Sequence, residues 1–147
     1  MSIFILVQCF CFISATMAGS AAEVKELFLQ QITECNKEHP INAEEINMLQ
    51  KHIVPESKTG RCHLACLFRK TKWMDEKGMF VLENAVKLAE EKHPKDSAKL
   101  ENSRNLFELC KKVNEETFSD GEEGCERAAK LSTCLTENAK KFGFQLE

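Results

Sequence analysis

The stretch TGRCHLACLFRK (residues 59–70) sets two cysteines four positions apart, with a histidine directly after the first. Such a fragment fits a metal site, a catalytic histidine on a cysteine-linked helix, or part of a disulfide framework. Across residues 62–68 it is apolar nearly all round, interrupted only by His63. A helix with that pattern is buried on most sides. Cys62 and Cys66 then share one helix face, one turn apart, and bridging them to each other would distort the helix.

The compartment decides how these cysteines are read. Residues 1–20, MSIFILVQCFCFISATMAGS, carry no charged side chain; an apolar run from Ile3 to Ile13 is broken only by Gln8, and the small residues Ala15, Ala18 and Ser20 follow. A short hydrophobic core ahead of a small-residue zone reads as a secretory signal peptide, with cleavage after Ala18 or Ser20. An uncleaved membrane anchor would need roughly 20 apolar residues, about twice the run available. Cys9 and Cys11 leave with the signal, and Cys35, Cys62, Cys66, Cys110, Cys125 and Cys134 remain. An even number of cysteines in a small exported chain implies disulfides.

The rest of the chain reads as helices. Residues 23–36 repeat Val24, Phe28, Ile32 and Cys35 along one face and stop before His39–Pro40. Asn42 with Glu45 forms a capping-box pattern, flanked by Ile41 and Ile46 as a hydrophobic staple, for a second helix ending near Ile53. The third runs from Gly60 to about Met74, DEKG (residues 75–78) turns the chain, and the fourth spans residues 80–92. Asp96 can cap a fifth helix carrying Leu100, Phe107, Cys110 and Val113; FSDGEEG (residues 118–124) is a loop, and a sixth helix covers about 122–138. No strand-like alternation of useful length, repeat or low-complexity linker is present. The expected fold class is all-α: a six-helix, disulfide-stapled domain over residues 21–147 with one core and a C-terminal tail at 139–147. A net charge of -3 does not suit nucleic acid, which requires a concentrated basic face.

Helix geometry restricts the cross-links. Cys125 and Cys134 lie nine apart on one helix, hence on opposite faces. Of the fifteen pairings open to six cysteines, ten contain neither the 62–66 nor the 125–134 bond. In all of them the two cysteines of the third helix go to different partners, so that helix is the hub of the cross-linking.

The intervals between the six cysteines are 26, 3, 43, 14 and 8 residues. This pattern closely resembles the six-cysteine signature of the insect odorant-binding proteins, the pheromone- and general-odorant-binding family, with the 3- and 8-residue gaps as its specific part. The resemblance spans essentially the whole mature chain. It implies the interlocked pairs Cys35–Cys66, Cys62–Cys125 and Cys110–Cys134, and a secreted carrier of a small hydrophobic ligand, with no cofactor and no metal. The partners it implies are that ligand and a chemosensory membrane receptor, for a monomer or weak homodimer.

The other chemistries lack their remaining parts. Zinc needs further ligands at close spacing and reduced thiolates. In a phospholipase-like reading of HLAC (residues 63–66), Leu64 stands where an aspartate is needed, and no glycine-rich calcium loop or G-x-S-x-G elbow occurs, so no enzyme is expected. His63 is then expected at the surface or its boundary. The ligand wall is expected on the fourth helix at Leu82, Ala85, Val86 and Ala89, the two alanines leaving space in front of it. The resemblance adds Trp73, Leu106, Phe107 and Leu135, and Phe28 and Ile32 could close the pocket. With no tyrosine in the chain, any hydrogen bond to a ligand is expected from the backbone or a stray Ser or Thr. In the tail, Phe142, Phe144 and Leu146 alternate around Gly143, as an extended strap over the pocket mouth would. A second reading is a secreted venom, seminal or haemolymph component of the same fold that acts through a protein partner.

Peptide mapping under non-reducing conditions tests the framework. It should find no free thiol in the mature protein and the interlocked pairs; a Cys62–Cys66 or Cys125–Cys134 peptide would overturn the helix assignment.

Overall fold

Asn42 Oδ1 accepts a hydrogen bond from Glu45 N (2.8 Å), and Glu45 Oε2 accepts one from Asn42 N (3.2 Å). This closes the capping box that starts helix α2, Ala43–Gln50. The same glutamate accepts from Ser57 Oγ, and that hydroxyl takes the Gly60 N–H at 2.9 Å as the cap of helix α3, Lys58–Lys70. One carboxylate thus ties two helix N-termini together. A Cβ on Gly60 would lie 2.4 Å from the Pro55 Cβ, so a glycine is needed where buried Pro55 packs on the first turn of α3.

The computed structural model describes residues 21–146, with side chains from residue 29 onward; the expected signal peptide and Phe28 side chain lie outside them. The described residues belong to two units, residues 1–30, which contribute the opening turns of helix α1 (Ala21–Glu38), and residues 31–147, which hold the packing set out below. Helices α4 (Leu82–Lys92), α5 (Ser97–Cys110) and α6 (Cys125–Ala139) follow, with 3-10 turns at Lys111–Glu115, Gly121–Glu123 and Lys140–Phe142. Among the described residues there is no β-strand, only an isolated bridge between Met74 and Phe80, and no helix long and apolar enough to cross a membrane. The fold class is the expected all-α one.

Three disulfides link Cys35 to Cys66, Cys62 to Cys125 and Cys110 to Cys134. Helix α3 holds one end of two of them and packs extensively on α6. Around it the core divides into two clusters rather than the single one expected. The first gathers Ile32, Cys35, Ile41, Leu49, Leu64, Ala65, Cys66, Leu67, Met74 and Ala128. The second is built on α4, α5 and α6, and Phe68 packs against both.

Helix ends move where local hydrogen bonds outcompete the periodicity. Helix α2 stops at Gln50, short of Ile53, with His52 at φ 59°. Helix α3 stops at Lys70, short of Met74, where Lys72 takes φ 60°. Val113 falls on a 3-10 turn beyond α5, and α6 starts at Cys125 because Gly124 sits at φ 68°.

The loops are held by two arginines. Buried Arg127 donates to the carbonyls of Gly78, Val113 and Glu116, and its guanidinium lies 4.9 Å from the centre of the Phe118 ring. Arg69 donates to the carbonyls of Asp75, Glu122 and Glu123. Gly78 and Gly124 meet backbone to backbone, where a Cβ on either would come within 2.8 Å of the other's Cα.

The tail departs from its expected form. Instead of an extended strap it makes a 3-10 turn, reverses at Gly143 (φ 80°), and returns the Phe144 N–H to the Ala139 carbonyl at 3.0 Å. Phe142 and Phe144 pack inward on the second cluster while Leu146 is 47% exposed, because a turn breaks the one-sided alternation that an extended segment would have.

His63 is not at the surface: it is 0% exposed. Its Nδ1–H donates to the His39 carbonyl at 2.9 Å at the end of α1, which leaves Nε2 buried without a partner. Burial pushes its pKa below the ordinary 6.5; the carbonyl bond and the charge of Glu45 oppose that shift without overcoming it. The unfolded chain therefore binds this proton more readily than the folded one. The stability tied to neutral His63 is complete above about pH 6.5 and declines as the pH falls below it. In His63→Asn the side-chain amide can still donate to His39 while the titrating base is gone. Urea-unfolding midpoints should fall less for this variant than for the wild type between neutral pH and about pH 5, and parallel curves would show that His63 does not carry the acid sensitivity.

Candidate ligand-binding site

The site is assembled from a loop and four helical elements. Trp73 follows α3 in a loop whose backbone is tied at each step. Its N–H reaches the Phe68 carbonyl (2.8 Å) and its carbonyl takes the Val81 N–H (2.7 Å). Asp75 Oδ1 accepts the N–H groups of Lys77 and Met79, which closes the DEKG turn. Asn114 clamps both backbone groups of Phe80, and Asn84 Nδ2 donates to the Lys72 carbonyl. The Trp73 ring thereby lies parallel to Phe68 (6.1 Å between centroids, 4° between planes) and edge-on to Phe107 (5.1 Å) and Phe80 (6.4 Å).

All ten residues expected on the ligand wall fall in this second cluster. Leu82, Ala85, Ala89, Leu106 and Phe107 belong to its buried floor, together with Phe80, Cys110, Val113 and Leu131. Trp73, Val86, Leu135, Phe142 and Phe144 form a half-buried rim with Phe68, Leu100 and Cys134. The Cys110–Cys134 disulfide is therefore built into the site itself. Ile32 belongs to the other cluster and is plain core.

Two details differ from the sequence reading. Ala85 is 0% exposed, so the space expected in front of it is absent, and the accessible surface on that stripe belongs to its neighbour Val86. Two hydroxyls on these helices bond within their own helix: Ser103 Oγ donates to the Lys99 carbonyl, and Thr136 Oγ1 to the carbonyls of Ser132 and Thr133. The polar atom left over within the cluster is Trp73 Nε1, buried and without a hydrogen-bond partner. Floor residues such as Leu131 were missed, although it stands four positions before Leu135 on the same face of α6.

Two further clefts, of about 490 and 340 Å3, flank the Cys62–Cys125 disulfide and share Lys58, Glu123 and Cys125. Their charged lining includes none of the ten wall residues. Cys62, Glu123 and Cys125 bring possible metal-ligand atoms within 4.8 Å, yet both sulfurs are consumed by the disulfide and offer no thiolate.

Comparison with known proteins agrees with this architecture. The chain is 26% identical to general odorant-binding protein 19d of Drosophila melanogaster over 148 aligned positions, covering all of this chain and 95% of that one. Its fold is similar to the odorant-binding protein dmelOBP28a of Drosophila melanogaster (TM-score 0.68, 21% identity, 86% of this chain and 100% of that one). It is also similar to odorant binding protein 5 of Apis mellifera (TM-score 0.64, 18% identity, 88% and 100%). The PBP/GOBP family model matches residues 18–138, and with six α-helices and three disulfides among the described residues the chain belongs to the PBP/GOBP family.

Proposed function

We propose that the protein is a secreted carrier that holds one small apolar molecule against the second cluster and releases it elsewhere, a chemosensory membrane receptor being the fitting recipient. Family membership supports a small-ligand carrier role. The observation that carries the reading to this site is the convergence of Trp73, Leu82, Val86, Leu106, Phe107, Leu135, Phe142 and Phe144 on one apolar surface whose rim stays half-buried. A filled core would bury the rim side chains completely, and here Trp73, Val86, Leu135, Phe142 and Phe144 retain surface that a ligand can cover.

Binding at such a wall is driven by burial. A ligand that removes on the order of 300 Å2 of apolar surface from water gains about 7 kcal/mol at most. The cost of immobilising it reduces that figure, so burial of that area alone gives affinities weaker than about 10 micromolar. Selectivity then rests on shape and on the few polar atoms present. In this reading Phe142 and Phe144 are a hinged cover: they are held by a single-turn 3-10 segment and one backbone hydrogen bond, Phe144 N–H to Ala139, rather than by a long helix.

Titration with N-phenylnaphthylamine tests the site. The wild type should bind the dye about one to one and release it to apolar competitors, and Val86→Phe should weaken the dye with little change in stability. Ala85→Phe should instead overpack the floor and lower stability by about 1–3 kcal/mol. Equal dye binding by wild type and Val86→Phe would move the site away from this wall.

The cover has its own test. Deleting residues 142–147 should speed dye dissociation in stopped-flow release while leaving the helical circular-dichroism signal in place. Equal off-rates would make the tail a packed terminus without a gating role.

A further inference from the structure

The indole N–H of Trp73 is buried, donates to nothing, and lies in an otherwise apolar cluster. Buried donors are almost always satisfied, so an exception calls for a physical reason. The hydrogen bonds of this loop run between other groups: both amide atoms of Asn114 with Phe80, Asn84 Nδ2 with Lys72, and the Trp73 carbonyl with Val81. The position of the ring is not accidental either, since its backbone is tied before and after it and its faces and edges meet Phe68, Phe80 and Phe107.

We propose that Trp73 Nε1–H is the polar selector of the site and that the preferred cargo is an apolar molecule carrying one hydrogen-bond acceptor oxygen, such as a ketone, aldehyde or ester. This rests on the carrier reading and adds the ligand's chemistry to it. In the structure the donor is sealed off and unsatisfied. A small rotation of the half-buried ring, or displacement of a rim side chain, brings it to an acceptor, and only a ligand that has an acceptor recovers the lost hydrogen bond. A hydrocarbon of the same shape gains the same burial and leaves the donor orphaned, so discrimination follows from the unmet donor rather than from an extra attraction.

A methyl heptyl ketone and its isostere, with methylidene in place of the carbonyl oxygen, test this by displacement of N-phenylnaphthylamine from the wild type and from Trp73→Phe. The readout is the ratio of the two dissociation constants, in which the different hydration of the two ligands cancels between proteins. Trp73→Phe should move that ratio roughly tenfold against the ketone. In the wild type the carbonyl stretch of the bound ketone should sit below its position in a hydrocarbon solvent. The emission of the chain's single tryptophan should change more with the ketone than with the isostere; these two wild-type signals hold even if the variant folds poorly. An unchanged ratio with a carbonyl stretch at the hydrocarbon position overturns the proposal and leaves the carrier reading standing, the N–H then resting on an aromatic face such as that of Phe107. Failure of the dye and of both ligands to bind the wild type overturns the carrier reading and this one with it.

Discussion

Over residues 62–67 helix α3 has no face left over. Cys66 is bonded to Cys35 of α1, Cys62 to Cys125 at the start of α6, and the intervening His63, Leu64 and Ala65 are buried. A helix of thirteen residues held covalently at two points one turn apart can neither slide nor rotate without moving both neighbours. The cross-links close segments separated by 31 and 63 residues, each worth about 3–4 kcal/mol of restricted unfolded-chain entropy. The remaining elements take their positions from this helix: the first cluster packs against it, and the loop carrying Trp73 begins where it ends.

The third disulfide does different work. Cys110–Cys134 joins α5 to α6 inside the second cluster, so the two helices that supply Leu106, Phe107 and Leu135 are fixed to each other at the site. A wall that keeps part of its surface uncovered forgoes some of the packing that normally holds helices together. A covalent bond at that place compensates locally. Arg127 and Arg69 do the same for the loops: each gathers three backbone carbonyls distant in sequence, which replaces the pairing that irregular backbone otherwise lacks.

Two buried nitrogens without partners, His63 Nε2 and Trp73 Nε1, sit in different parts of this frame and have different consequences. His63 lies in the hub between the disulfides, where a proton adds an unpaired charge to the interior and loads the whole fold. Trp73 lies on the half-buried rim, where its missing partner is something a bound molecule can supply.

The sequence by itself determined the helical class, the capping box at Asn42 and Glu45, the role of α3 as a hub, and ten apolar positions that fall in one cluster. These are local or periodic properties: a cap is encoded within four residues, helix faces repeat with the turn, and cysteine spacing restricts which bonds a helix permits. Tertiary structure decided the rest. The helix ends at Gln50 and Lys70 depend on left-handed residues that periodicity does not register. The burial of His63 depends on a carbonyl 24 residues away, and the enclosure of Ala85 depends on how closely α4 and α5 approach. The tail reads as alternating apolar residues in one dimension, but in space Gly143 turns it so that Phe142 and Phe144 point inward and Leu146 does not. Whether a polar atom is satisfied is a property of everything that surrounds it, and for that reason the indole of Trp73 emerged as an unmet donor only once the chain was folded around it.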